Sequence, residues 1–283
     1  MANRFRGKTC VLCPQPSVGV GEHVIPTWFQ DDFLGDAPFK SENAGRLYEN
    51  RDGGIATWPR LPGAHVPMCK DCNDRMNTNI EQPAKPVIRG LVPRSASHAW
   101  PTISADEAAA VGRWLLKVGL LWFHPEAEHD QPQVQKDQVL HRFSSMEPEW
   151  LAWMRQGTDP PADFTVFIRR RSLYAEVSAA PNPTHRIELP GYVRVGNREL
   201  RFMSREFGIP GLDTTMVWNP GWPIAHPLID EGRVAVLWPK PTAIDFAALG
   251  EVHPDECRFD IFADSQETTE DDYRRWTAKW LAP

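Results

Sequence analysis

The hydrophobic pattern of residues 104–124 predicts the clearest helix of the chain. Apolar side chains recur there at three- and four-residue spacing, the period of an α-helix with one buried face. The members of that face are Val111, Leu115, Val118 and Trp122. Ser104 precedes the pattern and Glu107 follows three residues later, an arrangement that favours a capping box at the helix start.

Other apolar patterns predict further helices. A Trp-rich segment predicts a helix over 147–156, and the tail predicts a closing helix over 269–282. A short helix is expected after Cys72, because apolar residues recur there every four positions. We expect Pro83 and Pro86 to limit that helix, since proline lacks the backbone N–H that continues it.

From residue 163 onward, β-branched and aromatic residues dominate short runs that Gly and Pro separate, which is typical of strands. The runs are 163–171, 192–203, 214–219 and 233–239. This part of the chain is therefore predicted to be α+β, with helices against a mainly antiparallel sheet. The basic run Arg169–Arg171 suits either a groove for a nucleic-acid backbone or a charged strand edge.

A Pro-, Ser- and Gly-containing stretch at 89–104 is the best candidate for a domain boundary. It predicts an N-terminal domain over residues 1–95 and an α+β domain over residues 101–283. The second domain is expected to serve targeting, the binding of a partner protein or homodimerisation.

Composition narrows the class of protein. The chain has 283 residues, of which 41% are hydrophobic and 24% charged, as in globular proteins. No stretch approaches the ~20 apolar residues of a membrane span, and no apolar signal follows the basic start, so we expect a cytoplasmic protein with no membrane partner. The net charge of −6 excludes a uniformly basic surface. A surface that binds nucleic acid would therefore have to be a basic patch on one part of the protein.

Four of the five cysteines form two Cys-x-x-Cys pairs. They are Cys10, Cys13, Cys69 and Cys72. Two such pairs supply the four thiolates of a structural Zn²⁺ site. Redox-active dithiols or plain buried cysteines are the alternatives. The intervening segment, 14–68, is longer than in a compact zinc ribbon, so the pattern does not specify one fold. Cys257 has no partner and is expected to be a simple cysteine.

Polar residues beside these pairs are suited to hydrolytic chemistry. Glu22 and His23 lie between the pairs, and Asn73 directly follows Cys72. Carboxylate and amide oxygens are the ligands that Mg²⁺ or Mn²⁺ prefers. A histidine next to the carboxylate could accept a proton from an attacking water. These groups are sufficient for hydrolysis of a phosphodiester with one catalytic metal.

In these motifs the chain resembles the HNH endonucleases, whose ββα-metal core is often held by a four-cysteine zinc site. The resemblance covers residues 8–90 and is strongest to the phage-type Holliday-junction-resolving endonucleases and to uncharacterised bacterial HNH proteins. It implies that Glu22 is a metal ligand in place of the usual Asp, that Asn73 is the second ligand and that His23 is the general base. His65 occupies the position of a loop-ordering Asn in that family.

The sequence therefore predicts a metal-dependent DNA endonuclease with a restriction-like or defence role. Asn77 is a further candidate ligand, and Lys70 and Arg75 are candidate phosphate contacts. In an alternative interpretation of these residues, Glu22 and His23 form a solvated turn and Asn73 caps a helix. One rival function is a catalytically degenerate zinc-knuckle nucleic-acid-binding protein, which the Glu-for-Asp and His-for-Asn replacements at Glu22 and His65 favour. The other is an interaction module that zinc only stabilises.

Overall fold

The computed structural model describes residues 4–33, 39–40, 42–43, 46–47, 57–58, 63–93, 97–129, 146–171, 191–195, 198–209, 211–218 and 228–252. Cys257 and the predicted closing helix at 269–282 lie outside them. The helices in the described part of the chain are α1 (Thr27–Phe33), α2 (Lys70–Met76), a π-helical segment (Asn77–Glu81), α3 (Gln82–Leu91), α4 (Ala105–Trp122) and α5 (Pro148–Gln156).

The strands of the described residues range from two to twelve residues in length. In chain order they are β1 (Glu22–His23), β2 (Phe39–Lys40), β3 (Glu42–Asn43), β4 (Arg46–Leu47), β5 (Thr57–Trp58), β6 (Ala64–Val66), β7 (Thr102–Ile103), β8 (Glu128–His129), β9 (Phe164–Arg171), β10 (Gly191–Val195), β11 (Arg198–Ile209), β12 (Leu212–Trp218), β13 (Val234–Trp238), β14 (Ile244–Asp245) and β15 (Glu251–Val252).

The chain divides by its contacts into two compact units, each built from two segments. Unit 1 comprises Met1–Arg89 and Lys117–Pro160, and unit 2 comprises Gly90–Leu116 and Pro161–Pro283. This division differs from the predicted boundary because the last third of α4, from Lys117, and strand β8 belong to the same unit as the N-terminal segment. Independent folding of residues 1–95 and 101–283 stays a prediction.

Unit 1 contains an antiparallel sheet of three short strands in the order β1-β6-β8. The helical run α2–π–α3 follows β6 after three residues, and α2 also packs on α5. The expectation that Pro83 and Pro86 limit this helix is wrong, because α3 continues to Leu91 with Pro86 inside it. Ala84, Ile88 and Leu91 are fully buried, and burial of this stripe outweighs the lost backbone hydrogen bonds.

Unit 2 contains a six-stranded sheet in the order β10-β11-β12-β9-β13, with β15 also paired to β9. All pairs are antiparallel except β15 with β9, which is parallel. The α+β class and the mainly antiparallel sheet are thereby confirmed. Helix α4 is confirmed as well, and the Glu107 carboxylate accepts hydrogen bonds from the backbone N–H and hydroxyl of Ser104 at 2.8 and 2.9 Å.

Strand β9 lies inside the sheet, and its arginines are held within unit 2. Arg169 is buried and pairs with Asp213 at 3.6 Å. The Arg170 guanidinium donates to the carbonyl of Leu249 at 3.0 Å and pairs with Glu251 at 2.8 Å. Arg169 therefore neither lines a groove nor marks an exposed strand edge.

In the described ranges, no helix combines the length and apolar character that crossing a membrane would require.

Candidate metal centre and the adjoining Glu-His pair

The four cysteines of the two Cys-x-x-Cys pairs converge on one point of unit 1. All four are free, and their sulfur atoms lie within 4.8 Å of one another. Cys10, Cys69 and Cys72 are buried, and Cys13 is half-buried. A cluster of this kind could hold a metal ion.

Backbone hydrogen bonds bring the two pairs together. The first pair lies in a tight turn, in which the N–H of Cys13 donates to the carbonyl of Cys10 at 3.4 Å. The N–H of Val11 donates to the Pro67 carbonyl at 2.9 Å, and that of Val18 donates to the Met68 carbonyl at 2.8 Å. The first turn is therefore attached to the segment that leads into Cys69.

The sulfur spacing fits a tetrahedral metal site. The Cys13 Sγ lies 3.6 Å from the Sγ of both Cys69 and Cys72. Four sulfurs around a zinc ion at ~2.3 Å would lie about 3.8 Å apart, whereas a disulfide needs about 2.05 Å. The donor set is thus suited to a tetrahedral, thiophilic ion.

Two of the four thiols, those of Cys72 and Cys10, are poor acids without a cation. Burial and the neighbouring sulfurs of Cys69 and Cys13 raise the pKa of the Cys72 thiol far above its ordinary value. Burial also raises the pKa of Cys10. A bound dication stabilises thiolates directly, so metal binding would release protons from this cluster.

Glu22 and His23 form strand β1, which pairs antiparallel with β6. Gly21 precedes the strand with φ +70°, and a Cβ there would lie 2.6 Å from the Val66 carbonyl oxygen. Glycine is therefore required at this close approach. Glu22 and His23 are both half-buried in a strand, so the alternative of a solvated turn is wrong.

Asn73 lies within α2, one position after Cys72. The N-cap of α2 is Cys69, and the backbone N–H of Asn73 donates to the Cys69 carbonyl at 3.1 Å. Asn73 is therefore not the helix cap. Its side chain lies close enough to the Glu22 carboxyl to lower the pKa of that group, so a carboxylate and an amide are neighbours beside Cys72.

Burial raises the pKa of the Glu22 carboxyl to about 7. The positive charge of Lys117 opposes this rise, the negative charge of Glu81 adds to it, and the nearby Asn73 side chain lowers the pKa. A carboxylate held in such surroundings gains more from a bound cation than a solvated carboxylate does. The oxygens of Glu22 and Asn73 are of the type that Mg²⁺ and Mn²⁺ accept.

The rings of His23 and His65 contact each other. Their centroids lie 4.2 Å apart with a tilt of 57°, because the two residues are direct partners across β1 and β6. His65 thus lies in a strand and is buried. The loop-ordering role expected for it stays a prediction.

The remaining candidates lie on the exposed side of the helical run. Asn77 is exposed, and its Oδ1 accepts a hydrogen bond from Gln82 Nε2 at 3.3 Å. Lys70 pairs with Asp74 one turn along α2, and both side chains are exposed. Arg75 is exposed as well. Roles for Asn77 in metal binding and for Lys70 and Arg75 in phosphate contacts stay predictions.

Two residues near Glu22 were not predicted from the sequence. Glu81 ends the π-helical segment and Lys117 lies in the last third of α4. The two form a buried ion pair of 2.8 Å. The sequence does contain a signal, since Lys117 interrupts the apolar run "RWLLKVGLLWF". Lys is rarely buried without a partner, but the sequence does not identify that partner.

No protein-family model, no curated protein and no solved structure matches the chain. The chemistry of the site therefore rests on its own geometry.

Proposed function

We propose that the protein is a metal-dependent endonuclease that hydrolyses phosphodiester bonds of DNA, with one catalytic Mg²⁺ or Mn²⁺ and one structural Zn²⁺. The observation that carries the proposal is the closeness of the Glu22 carboxyl and the Asn73 side chain, which lies near enough to lower the pKa of that carboxyl. One residue lies in strand β1 next to His23, and the other lies in helix α2 directly after Cys72.

The proposed roles follow from the chemistry of each side chain. The oxygens of Glu22 and Asn73 would hold the catalytic ion. That ion, when bound, supplies positive charge next to the phosphate and the leaving 3′ oxygen. Neutral His23 accepts the proton of the attacking water. The water oxygen forms a bond to phosphorus, the bond from phosphorus to the 3′ oxygen breaks, and the 3′ oxygen takes up a proton.

The cysteine cluster would have a structural role for this site. A Zn²⁺ on Cys10, Cys13, Cys69 and Cys72 would fix the start of α2, and so the position of Asn73. Four-sulfur zinc sites are closed and structural. This division leaves the hydrolysis to the oxygen ligands and His23.

Plasmid nicking tests the proposal. Wild-type protein should nick supercoiled DNA with Mg²⁺ or Mn²⁺. His23→Ala should lose activity by about a hundredfold or more and keep its zinc, fold and DNA affinity. Glu22→Gln should lose activity through weaker binding of Mg²⁺ or Mn²⁺. His129→Ala changes a histidine of the same sheet, on β8, and should keep wild-type activity.

Two results would overturn the proposal. Equal nicking by wild type and His23→Ala would remove His23 as the base. DNA binding without cleavage of plasmid, branched or single-stranded substrates would favour the catalytically degenerate nucleic-acid-binding protein. The restriction-like role, the cytoplasmic location and the role of the C-terminal region in targeting or dimerisation stay predictions.

A further inference from the structure

Lys117 is the most deeply buried charged side chain near the candidate site. Its side chain has 0% exposure. The Nζ donates to Glu81 Oε1 at 2.8 Å and to the backbone carbonyl of Val24 at 3.0 Å. A single ammonium thus contacts two segments of unit 1 that are far apart in sequence.

The first contact fixes the chain directly after the Glu-His pair. Val24 follows His23, is fully buried, and its N–H donates to the Ala64 carbonyl at 2.9 Å. With its carbonyl bound to Lys117, both backbone groups of Val24 have partners. The position of β1 therefore depends in part on Lys117.

The second contact fixes the helix that carries Asn73. Glu81 is the last residue of the π-helical segment, and its side chain is only 8% exposed. The wider π turn changes the direction of the residues that follow α2. The ion pair with Lys117 anchors this segment to α4, on the same helical run as Asn73.

The charges of this pair also reach Glu22, because Lys117 and Glu81 act on that carboxylate in opposite directions. A buried ion pair is a weak source of net stability. Stabilisation of the fold alone therefore does not explain why the Lys117–Glu81 ion pair lies beside Glu22 and Asn73.

We propose that Lys117 is a positioning residue of the candidate site: through the Val24 carbonyl and Glu81 it sets the strand of Glu22 and His23 against the helix of Asn73. The inference rests on the proposed function in that the positioned groups are the proposed metal ligands and base. Lys117 itself contacts neither DNA nor the ion.

Removal of both charges is the main test. Lys117→Met combined with Glu81→Met leaves no unpaired buried charge, so this double variant should fold and bind zinc as wild type does. Its half-saturating Mn²⁺ concentration, measured on zinc-loaded protein by the paramagnetic resonance of free Mn²⁺, should rise at least tenfold. Nicking should fall at least tenfold and recover in part at high Mn²⁺.

Glu81→Gln is the second variant, because it keeps the size of the side chain and an acceptor for Lys117. It leaves the lysine charge unbalanced, which disfavours a cation near Glu22. The half-saturating Mn²⁺ concentration should rise at least threefold.

Lys8→Met is the matched control, since Lys8 pairs with Glu126 at 2.9 Å on the exposed surface of the same unit. It should stay within twofold of wild type in Mn²⁺ binding and nicking.

Each outcome decides the inference. Wild-type Mn²⁺ binding in the folded double variant, or in Glu81→Gln if the double variant does not fold, would overturn it and leave the pair a structural feature. The inference would be supported if wild type binds Mn²⁺, Glu22→Gln abolishes this binding and the double variant weakens it. This holds even if no DNA is cut. In that case the positioning role would stand and the nuclease proposal would fall.

Discussion

At the scale of single residues, His124 is a buried imidazole that stays neutral. It is 8% exposed, and burial lowers its pKa to about 4, against a smaller opposing effect of Glu126. Its Nδ1 accepts a hydrogen bond from the Glu126 backbone N–H at 3.0 Å, so the ring proton lies on Nε2. Protonation of Nδ1 would break this bond and place a charge in the core.

We expect His124 to make the protein sensitive to acid. Its pKa is lower in the folded chain than the ordinary value of 6.5. The stability that neutral His124 provides is therefore complete above pH 6.5 and is lost as the pH falls towards 4, to an amount on the order of 3 kcal/mol. Urea unfolding at pH 7 and pH 4.5 should show a larger loss for wild type than for His124→Asn, whose amide oxygen replaces the Nδ1 acceptor. Equal losses in both proteins would contradict the assignment.

At the scale of the secondary-structure elements, helix α4 and strand β13 meet in unit 2 at a position where only glycine fits. A Cβ on Gly112 would lie 2.6 Å from the backbone carbonyl oxygen of Leu237, a contact that a side chain cannot relieve by rotation. Close approach of a helix to a strand is thus made possible by one missing methyl group.

Gly112→Ala should therefore destabilise the protein by about 2 kcal/mol, although alanine favours helices by up to ~1 kcal/mol over glycine. Gly90→Ala is the matched control. Gly90 lies in α3, and a Cβ there would meet nothing within 4 Å, so the substitution should be neutral or stabilising. Thermal unfolding of both variants measures the difference. A stabilised Gly112→Ala protein would show that β13 can move away from the helix.

Apolar periodicity located α4, because a buried helix face imposes a period of 3.6 on the sequence, and a Trp-rich segment located α5. Runs of β-branched and aromatic residues located β9, β12 and β13. The predicted run 192–203 proved to be two strands, β10 and β11, which pair antiparallel. Apolar periodicity did not locate the π-helical segment, since the extra residue per turn leaves no distinct pattern. It also did not identify the partner of Lys117. Glu81 and Val24 are brought to Lys117 only by tertiary packing, and no local spacing records that contact. The Cys-x-x-Cys pairs were recognisable because their spacing is typical of metal sites, and the structure brings all four sulfurs together.

At the scale of the whole molecule, the two units should respond differently to loss of metal. The cysteine cluster lies entirely in unit 1, and metal binding at such clusters contributes on the order of 10 kcal/mol to folding. We expect about one zinc per chain in protein purified without added metal. Chelation, or Cys69→Ser, should then destabilise unit 1 far more than the six-stranded sheet.

Hydrogen exchange followed by mass spectrometry measures this difference segment by segment. After chelation, β1, β6 and α2 should lose protection, whereas β9, β12 and β13 should keep it. Unchanged protection of β1 and α2 would mean that the cluster holds no structural metal. Loss of protection in both units together would mean that they fold as one cooperative body.

The contact of Lys117 with Glu81 and Val24 also sets an order of events during translation. Ribosomes make the chain from the N-terminus, so Glu22, His23 and Asn73 emerge before Lys117. Until α4 has been synthesised, Glu81 lacks its ion-pair partner Lys117 and the carbonyl of Val24 lacks this donor. A nascent chain of this protein would thus carry the groups of the site without their final arrangement, and any activity of the site would begin only after α4 has folded onto the earlier segments.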